Sequence, residues 1–276
     1  MNIRYLGTAA YEGVPSLFCE CRVCRRSKEE GGRNLRSRSQ ALVDGQLLLD
    51  FNPDTVWHSQ KYGLDWSNIR NCLITHSHSD HLYPEDVEIA AENYSNLHNT
   101  LHFYAAKDGY EKLKAIVGKP NMGGGATAEL IEAGKEFTLS GGEYTVLPLR
   151  ANHEPSTSPV IYAIRRGEKR MLYAHDTGVF FEDAWQGLRK FGKFDFVSLD
   201  CTGCLGIGGE WRNGHMSLKT NLEVLERMRG EGIADASTIV VLNHFSHNGG
   251  QTYGEMCAEA EKFGLIVAYD GLEIEF

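Results

Sequence analysis

The chain has 276 residues, of which 42% are hydrophobic and 24% charged, a balance that suits a folded domain with a sizeable core. Its formal net charge of −9 opposes nonspecific binding to nucleic acid, because phosphates repel an acidic surface. Apolar runs such as "TIVVLN" around Ile239 are too short to cross a bilayer, so neither nucleic acid nor a membrane is an expected partner.

In chain order, "MNIRYLGTAA" lacks the apolar stretch of a secretory leader, which makes a reducing cytoplasm the expected compartment. Asn2 to Thr8 alternates and reads as an opening strand. "CECRVC" (Cys19 to Cys24) then packs three of the seven cysteines into six positions. Three is odd for disulfides, so a metal site is the better reading, but no fourth ligand follows nearby. The basic stretch from Arg25 to Ser39 reads as a solvated loop or as an anion-attracting rim. Ala41 to Asn52 is a hairpin around Asp44-Gly45, with a short helix expected after Pro53. Ile69 to Thr75 is a continuous apolar run and so a buried strand.

Pro84 to Tyr94 reads as a helix, Leu101 to Ala106 as a strand, and Lys107 to Gly118 as a helix. Lys119 to Glu129 reads as a loop, mobile at Gly123 to Gly125. Strands are expected at Glu136–Leu139, Tyr144–Ala151, Val160–Arg166 and Arg170–His175. Helices are expected at Phe180–Phe191, Leu218–Arg229 and Gly254–Gly264. Strands Phe194–Asp200, Ser237–His244, Leu265–Asp270 and Leu272–Phe276 complete the pattern. No repeat or linker divides it, so one domain over residues 1–276 is expected. The alternation suits either two packed sheets with helices outside or one doubly wound sheet.

Chemistry concentrates in "THSHSDH", where His76, His78, Asp80 and His81 follow the buried strand directly. Residues two apart in extended chain share a side, so His76 and His78 can face one metal, and a turn re-aims Asp80 and His81 beside it. Further candidates stand just past other strands: His153 in "LRANHEP", Asp176 in "LYAHDTG" and His244 in "VVLNHFSH". Imidazole and carboxylate suit zinc, manganese or iron. Asp50, in "LLLDFN", is a turn aspartate by its position.

This series of motifs resembles the metallo-β-lactamase superfamily in order and separation over most of the chain. The resemblance implies an α/β (α+β) fold, a four-layer αββα sandwich. It also implies two catalytic divalent ions, zinc or manganese with iron also compatible. His76, His78 and His153 would hold one ion and Asp80, His81 and His244 the other, with Asp176 bridging. Only by this resemblance is Asp50 an orienting residue behind the ligands. Two ions roughly 3.5–4 Å apart can activate a bridging hydroxide for hydrolysis.

With His244 given to the pair, His247 is free to join Cys19, Cys21 and Cys24 in a Cys3His structural zinc site. "GTAAYEGVPSLFCECRVC", "RNGHMSLKTN" and "DGLEI" narrow the resemblance to phosphodiesterases of phosphonate degradation, which act on a phosphoribosyl cyclic phosphate. That likeness implies a small (cyclic) phosphodiester substrate, His215 as proton donor to the leaving alkoxide, and a homodimer. Gly214 is an extra residue ahead of His215, which weakens that one correspondence.

Alternatives are a hydrolase of another ester such as a thioester, and a non-hydrolytic protein like those of pyrroloquinoline-quinone biosynthesis. The latter share the cysteine segment but lack the intact H-x-H-x-D-H run that this chain keeps. A superfamily ribonuclease or a true β-lactamase fits less well. Cys201 and Cys204 read as buried packing residues, as do Cys72 and Cys257. The Gly-rich "GCLGIGGEWRNG" lacks the ending of a nucleotide P-loop and reads as a flexible lid or as backbone approaching substrate. His58, His98, His102 and His175 remain unassigned.

Overall fold

The short apolar strands of this sequence are buried on both faces, and the architecture follows from that. The computed structural model describes every residue except 97, 98 and 207. His98 therefore lies outside the described residues, as does Ile207 of the Gly-rich stretch.

The first sheet contains β1 (Asn2–Gly7), β2 (Gln40–Val43), β3 (Leu47–Leu49), β4 (Asn71–Leu73), β5 (Leu101–Ala105), β6 (Ala126–Leu130) and β14 (Glu273–Glu275), in spatial order β14-β1-β2-β3-β4-β5-β6. The second contains β7 (Phe137–Thr138), β8 (Thr145–Arg150), β9 (Val160–Arg166), β10 (Lys169–Ala174), β11 (Phe196–Asp200), β12 (Ile239–Asn243) and β13 (Ile266–Val267), in order β13-β12-β11-β10-β9-β8-β7. Each sheet begins as an antiparallel meander and continues as parallel strands.

Alternation assigns the faces. Ala41, Val43, Leu47 and Leu49 point to the central layer with Tyr162, Ile164, Met171 and Tyr173 of the other sheet. Leu42, Leu48 and Cys72 point outward, into the layer beneath α2 (Thr55–Tyr62) and α3 (Lys107–Val117). On the far side α4 (Glu182–Phe191), α5 (Leu218–Gly230) and α6 (Tyr253–Ala260) cover the second sheet through Trp185, Leu188, Val224, Leu225 and Met256. This is the four-layer αββα sandwich, and it excludes the single doubly wound sheet. Among the described residues no helix is long and apolar enough to cross a membrane.

Three expectations need correction. Residues 84–94 do not form an α-helix: Pro84–Ala90 winds as a 3-10 helix. Its three-residue repeat turns Val87 into the core, and β-branched Val87 and Ile89 weaken the α alternative. The loop expected over 119–129 contains β6, an edge strand whose half-exposed residues carry no apolar alternation. Gly125 there packs tightly, since a Cβ would lie 2.2 Å from the Ala90 carbonyl oxygen. The basic segment is neither open loop nor anion rim. Its first part, residues 25–30, lies in α1 (Arg22–Glu30), whose cations pair with Glu20, Glu30 and Glu255. Beyond it, buried Arg36 donates to Thr8 Oγ1 and the Ala268 carbonyl.

Candidate metal centre

The candidate residues stand at one edge of the sandwich because parallel strands deliver their carboxyl ends together. Asp50 follows β3, His76 to His81 follow β4, His153 follows β8, Asp176 follows β10 and His244 follows β12. Three of them leave the extended conformation at once, with φ of 68° at Asp50, 52° at Asp176 and 62° at His244. Positive φ is costly for a residue with a Cβ. Here it swings Asp176 and His244 from the strand ends into the cleft and Asp50 against His81.

Two sets of ligand-type atoms converge, each lying within 4.8 Å of one another: His76, His78, His153 and Asp176, and Asp80, His81, Asp176 and His244. Asp176 is common to both. Its Oδ2 lies 2.8 Å from His81 Nε2, 3.2 Å from His76 Nε2 and 3.6 Å from His244 Nε2. His78 Nδ1 sits 2.9 Å from His76 Nε2 and 3.3 Å from His153 Nε2.

The outer ring nitrogens already have partners. His81 Nδ1 meets Asp50 Oδ2 at 2.8 Å, and His153 Nδ1 meets the Gly214 carbonyl at 3.1 Å. His244 Nδ1 meets Thr202 Oγ1 at 2.9 Å, and His76 Nδ1 meets Thr75 Oγ1 at 3.1 Å. Outer contacts of this kind fix tautomer and ring orientation around a metal. The inner nitrogens then present lone pairs to one another and to a carboxylate, an arrangement that divalent cations satisfy.

Electrostatics agree with that fit. Burial pulls the His76 pKa down to about 3, leaving a neutral imidazole fit for ligation. Burial also opposes charge on His81, but Asp80 and Asp50 outweigh it and hold its pKa well above the ordinary value. Such a surplus of negative potential draws cations. The buried Oδ1 of Asp176 has no well-formed hydrogen bond, although His215 Nδ1 lies 3.1 Å away.

Asp50 settles as an orienting group: besides His81, its Oδ1 accepts from the Thr75 N–H at 2.7 Å and the Thr75 hydroxyl at 2.9 Å. Gly214, the extra residue, has φ of 77° and brings its carbonyl to His153, which sets His215 beside Asp176.

Several residues escaped sequence reasoning. Asp200, at the end of β11, accepts from the backbone N–H groups of Asp176 (3.0 Å) and Met216 (2.9 Å) and lies 3.2 Å from His215 Nδ1. Its signal was the same as that of Asp50, a buried strand-end aspartate. Burial opposes ionisation of Asp200, yet His215 and His244 keep its pKa far below the usual carboxylate range. Asp176, Asp200, His215 and His244 also meet metal-ligand spacing, but the backbone N–H groups already occupy the Asp200 carboxylate, which makes it an anchor. Asn152 ties three loops: its carbonyl accepts from Gly178 (2.8 Å) and Gly214 (3.0 Å), and its side chain donates to Val179 and Arg212 carbonyls.

For His215 itself, burial lowers the pKa, but Asp200 and Asp176 outweigh it and push it up to about 11.

The second cluster also assembles. Cys19, Cys21, Cys24 and His247 bring their ligand atoms within 4.8 Å, and His247 Nδ1 lies 3.5 Å from Cys21 Sγ and 3.6 Å from Cys19 Sγ. All three thiols are free of disulfides. Cys21 caps α1, its sulfur accepting from the Cys24 N–H. Burial opposes the Cys21 thiolate, but the Cys24 N–H and His247 prevail and bring its pKa down to about 6, as thiolate metal binding requires. The remaining motifs are structural: Cys72, Cys201 and Cys204 are buried, and Cys257 is partly buried against the helix-side core. His175 packs inside against Ser198 Oγ at 2.7 Å, and His102 meets Thr127 Oγ1 at 2.9 Å.

A family model described as the β-lactamase superfamily domain matches residues 46–245, which run from β3 to just past His244. The chain belongs to the β-lactamase superfamily. As a superfamily member it is 26% identical over 167 residues to an octanoyltransferase of Porphyromonas gingivalis (strain ATCC BAA-308 / W83), covering 55% of this chain and 31% of that protein. The chain thus spans about a third of the length of that curated relative. Among solved structures, a diphosphatase from the PhnP family superposes with a TM-score of 0.73 at 20% identity, over 100% of this chain and 96% of the other. Zinc-bound PqqB from Methylobacterium extorquens superposes with a TM-score of 0.72 at 21% identity, over 100% of both chains. These likenesses show the fold: the chain has the metallo-β-lactamase fold, resembles the PhnP-family diphosphatase in structure, and carries His/Asp clusters able to hold metal.

Proposed function

We propose that this chain is a dinuclear metal-dependent phosphodiesterase acting on small (cyclic) phosphodiesters, with a separate structural zinc. The observation that carries the reading is the sharing of Asp176 by two convergent ligand sets on the wall of an open cavity of about 510 Å3. In this reading His76, His78 and His153 hold one ion, Asp80, His81 and His244 the other, and Asp176 bridges. Cys19, Cys21, Cys24 and His247 hold the zinc. The cation pair, when bound, would supply a nucleophile from water at neutral pH and offset charge on the attacked phosphoryl group.

The chain's own groups supply the rest. Asp50 and Thr75 fix His81; the Gly214 carbonyl fixes His153; Thr202 fixes His244. Asp200 and Asp176 hold His215 through Nδ1, which leaves Nε2 for the substrate. The two carboxylates keep that imidazole protonated, so His215 can donate a proton to the departing alkoxide as the P–O bond breaks. The free thiols favour a reducing, cytoplasmic setting.

The test combines metal analysis with turnover. Protein stripped by chelator and reloaded with manganese or zinc is assayed on bis(p-nitrophenyl) phosphate, cyclic phosphodiesters and thioesters. Diester hydrolysis with two exchangeable ions and one tightly held zinc is expected. Preference for thioesters would overturn the substrate class. One zinc per chain without hydrolysis would favour a PqqB-like role.

A further inference from the structure

The cavity over the metal centre has a carboxylate at its mouth that the hydrolytic reading does not use. Glu12 lines it together with Tyr11, Trp211 and His215. Its side chain keeps 24% of its surface exposed. Two contacts hold it: Ser246 Oγ donates to Glu12 Oε1, and His247 Nε2 lies 3.6 Å from the same oxygen. The carboxylate is thus pinned by the loop that also carries His244, and it presents a fixed negative charge to whatever enters.

Apart from these contacts with Ser246 and His247, no lysine or arginine among the described residues lining the cavity answers that charge. Arg38 is turned to Asp54 and to the Tyr11 carbonyl, each at 2.9 Å, and Arg212 pairs with Glu223. Tyr11 and Trp211 add aromatic faces. Trp211 can lie there because position 203 is glycine, whose Cβ would be 2.3 Å from the indole.

We infer that Glu12 makes the site selective for singly charged phosphodiesters whose remaining part bears hydroxyls and no second phosphate. The inference rests on the phosphodiesterase reading and narrows it. The cation pair and His215 can balance one phosphodiester charge at the reacting end. A second phosphate directed to the cavity mouth meets the Glu12 carboxylate, and like charges at short range in a partly desolvated site repel strongly. A sugar hydroxyl at the same place donates to it, and the ring packs on the aromatic faces.

The experiment compares a nucleoside 2′,3′-cyclic phosphate with its 5′-phosphorylated counterpart on the metal-loaded protein. It measures kcat/KM for both and, by calorimetry, binding of the corresponding products. The expected result is a preference for the singly charged diester of at least about tenfold, mirrored in binding. Glu12→Gln keeps an acceptor for Ser246 but removes the charge, so the ratio falls toward one; Glu12→Lys inverts it. Zinc content is measured for each variant, and a purely structural role for Glu12 would lower both substrates together and leave the ratio intact, which overturns the inference. So does a wild-type preference for the doubly phosphorylated compound. Absence of turnover on any diester is the distinct result that overturns the phosphodiesterase reading, and this inference with it.

Discussion

His215 carries the sharpest residue-level expectation. A proton donor matters in proportion to how poor the leaving group is. His215→Ala should lower kcat roughly 100- to 1,000-fold on diesters with alkoxide leaving groups. On bis(p-nitrophenyl) phosphate, whose phenolate departs without help, the loss should stay below about tenfold. Equal losses on both, measured across a series of leaving groups, would show that His215 only shapes the pocket. The same scale explains what was legible beforehand. His76, His78, Asp80 and His81 announce themselves because four ligand-type residues fall within six positions. Asp200, Asn152, Thr202 and Glu12 are isolated polar residues in the sequence. Each acquires meaning only from partners far along the chain, such as His244 for Thr202 and Ser246 for Glu12.

At the scale of elements, the buried strands were readable because both faces are apolar, and most helices because caps and amphipathic spacing are local. The edge strand β6 and the 3-10 segment Pro84–Ala90 were not, since neighbours rather than propensity decide them. The cysteine segment was legible as a metal site, but its role in closing an element was not. It joins α1 to the turn after β12, and residues 10–12, between β1 and the cysteines, line the cavity. Replacing Cys21 by alanine removes both a ligand and the α1 cap. One metal ion per chain should be lost while the other two persist by elemental analysis. Tm should fall by on the order of 10 °C. KM for the diester should rise more than kcat falls, because the cavity rim loosens while the histidine cluster stays. Loss of all three ions together would mean that the two centres do not form independently.

For the whole molecule, closure depends on a buried network that joins distant parts of the chain. β14 pairs with β1, and the turn before it brings Asp270 to Ser37 and Thr8. Ser37 Oγ stands between Asp270 Oδ2 at 2.6 Å and His58 Nε2 at 2.7 Å, while His58 Nδ1 donates to Gln40 Oε1 at 2.6 Å. Burial is the main reason that the His58 pKa falls to about 4, with Asp54 raising it and Lys61 lowering it less. Burial also raises the pKa of Asp270 across the serine. For His58 the sign follows from proton uptake: between the unfolded value of 6.5 and the folded value of about 4, the unfolded chain binds the extra proton. Its contribution is therefore complete above pH 6.5 and disappears as pH falls toward 4, a loss of about 3 kcal/mol. Urea unfolding of the metal-free protein at pH 7 and pH 4.5 reads this directly. His58→Gln, which can still bond Gln40 but does not titrate, should flatten the acid side of the profile relative to wild type. An unchanged slope in the variant would move the acid sensitivity elsewhere, to the histidine cluster beyond Asp50, whose carbonyl Gln40 also bonds.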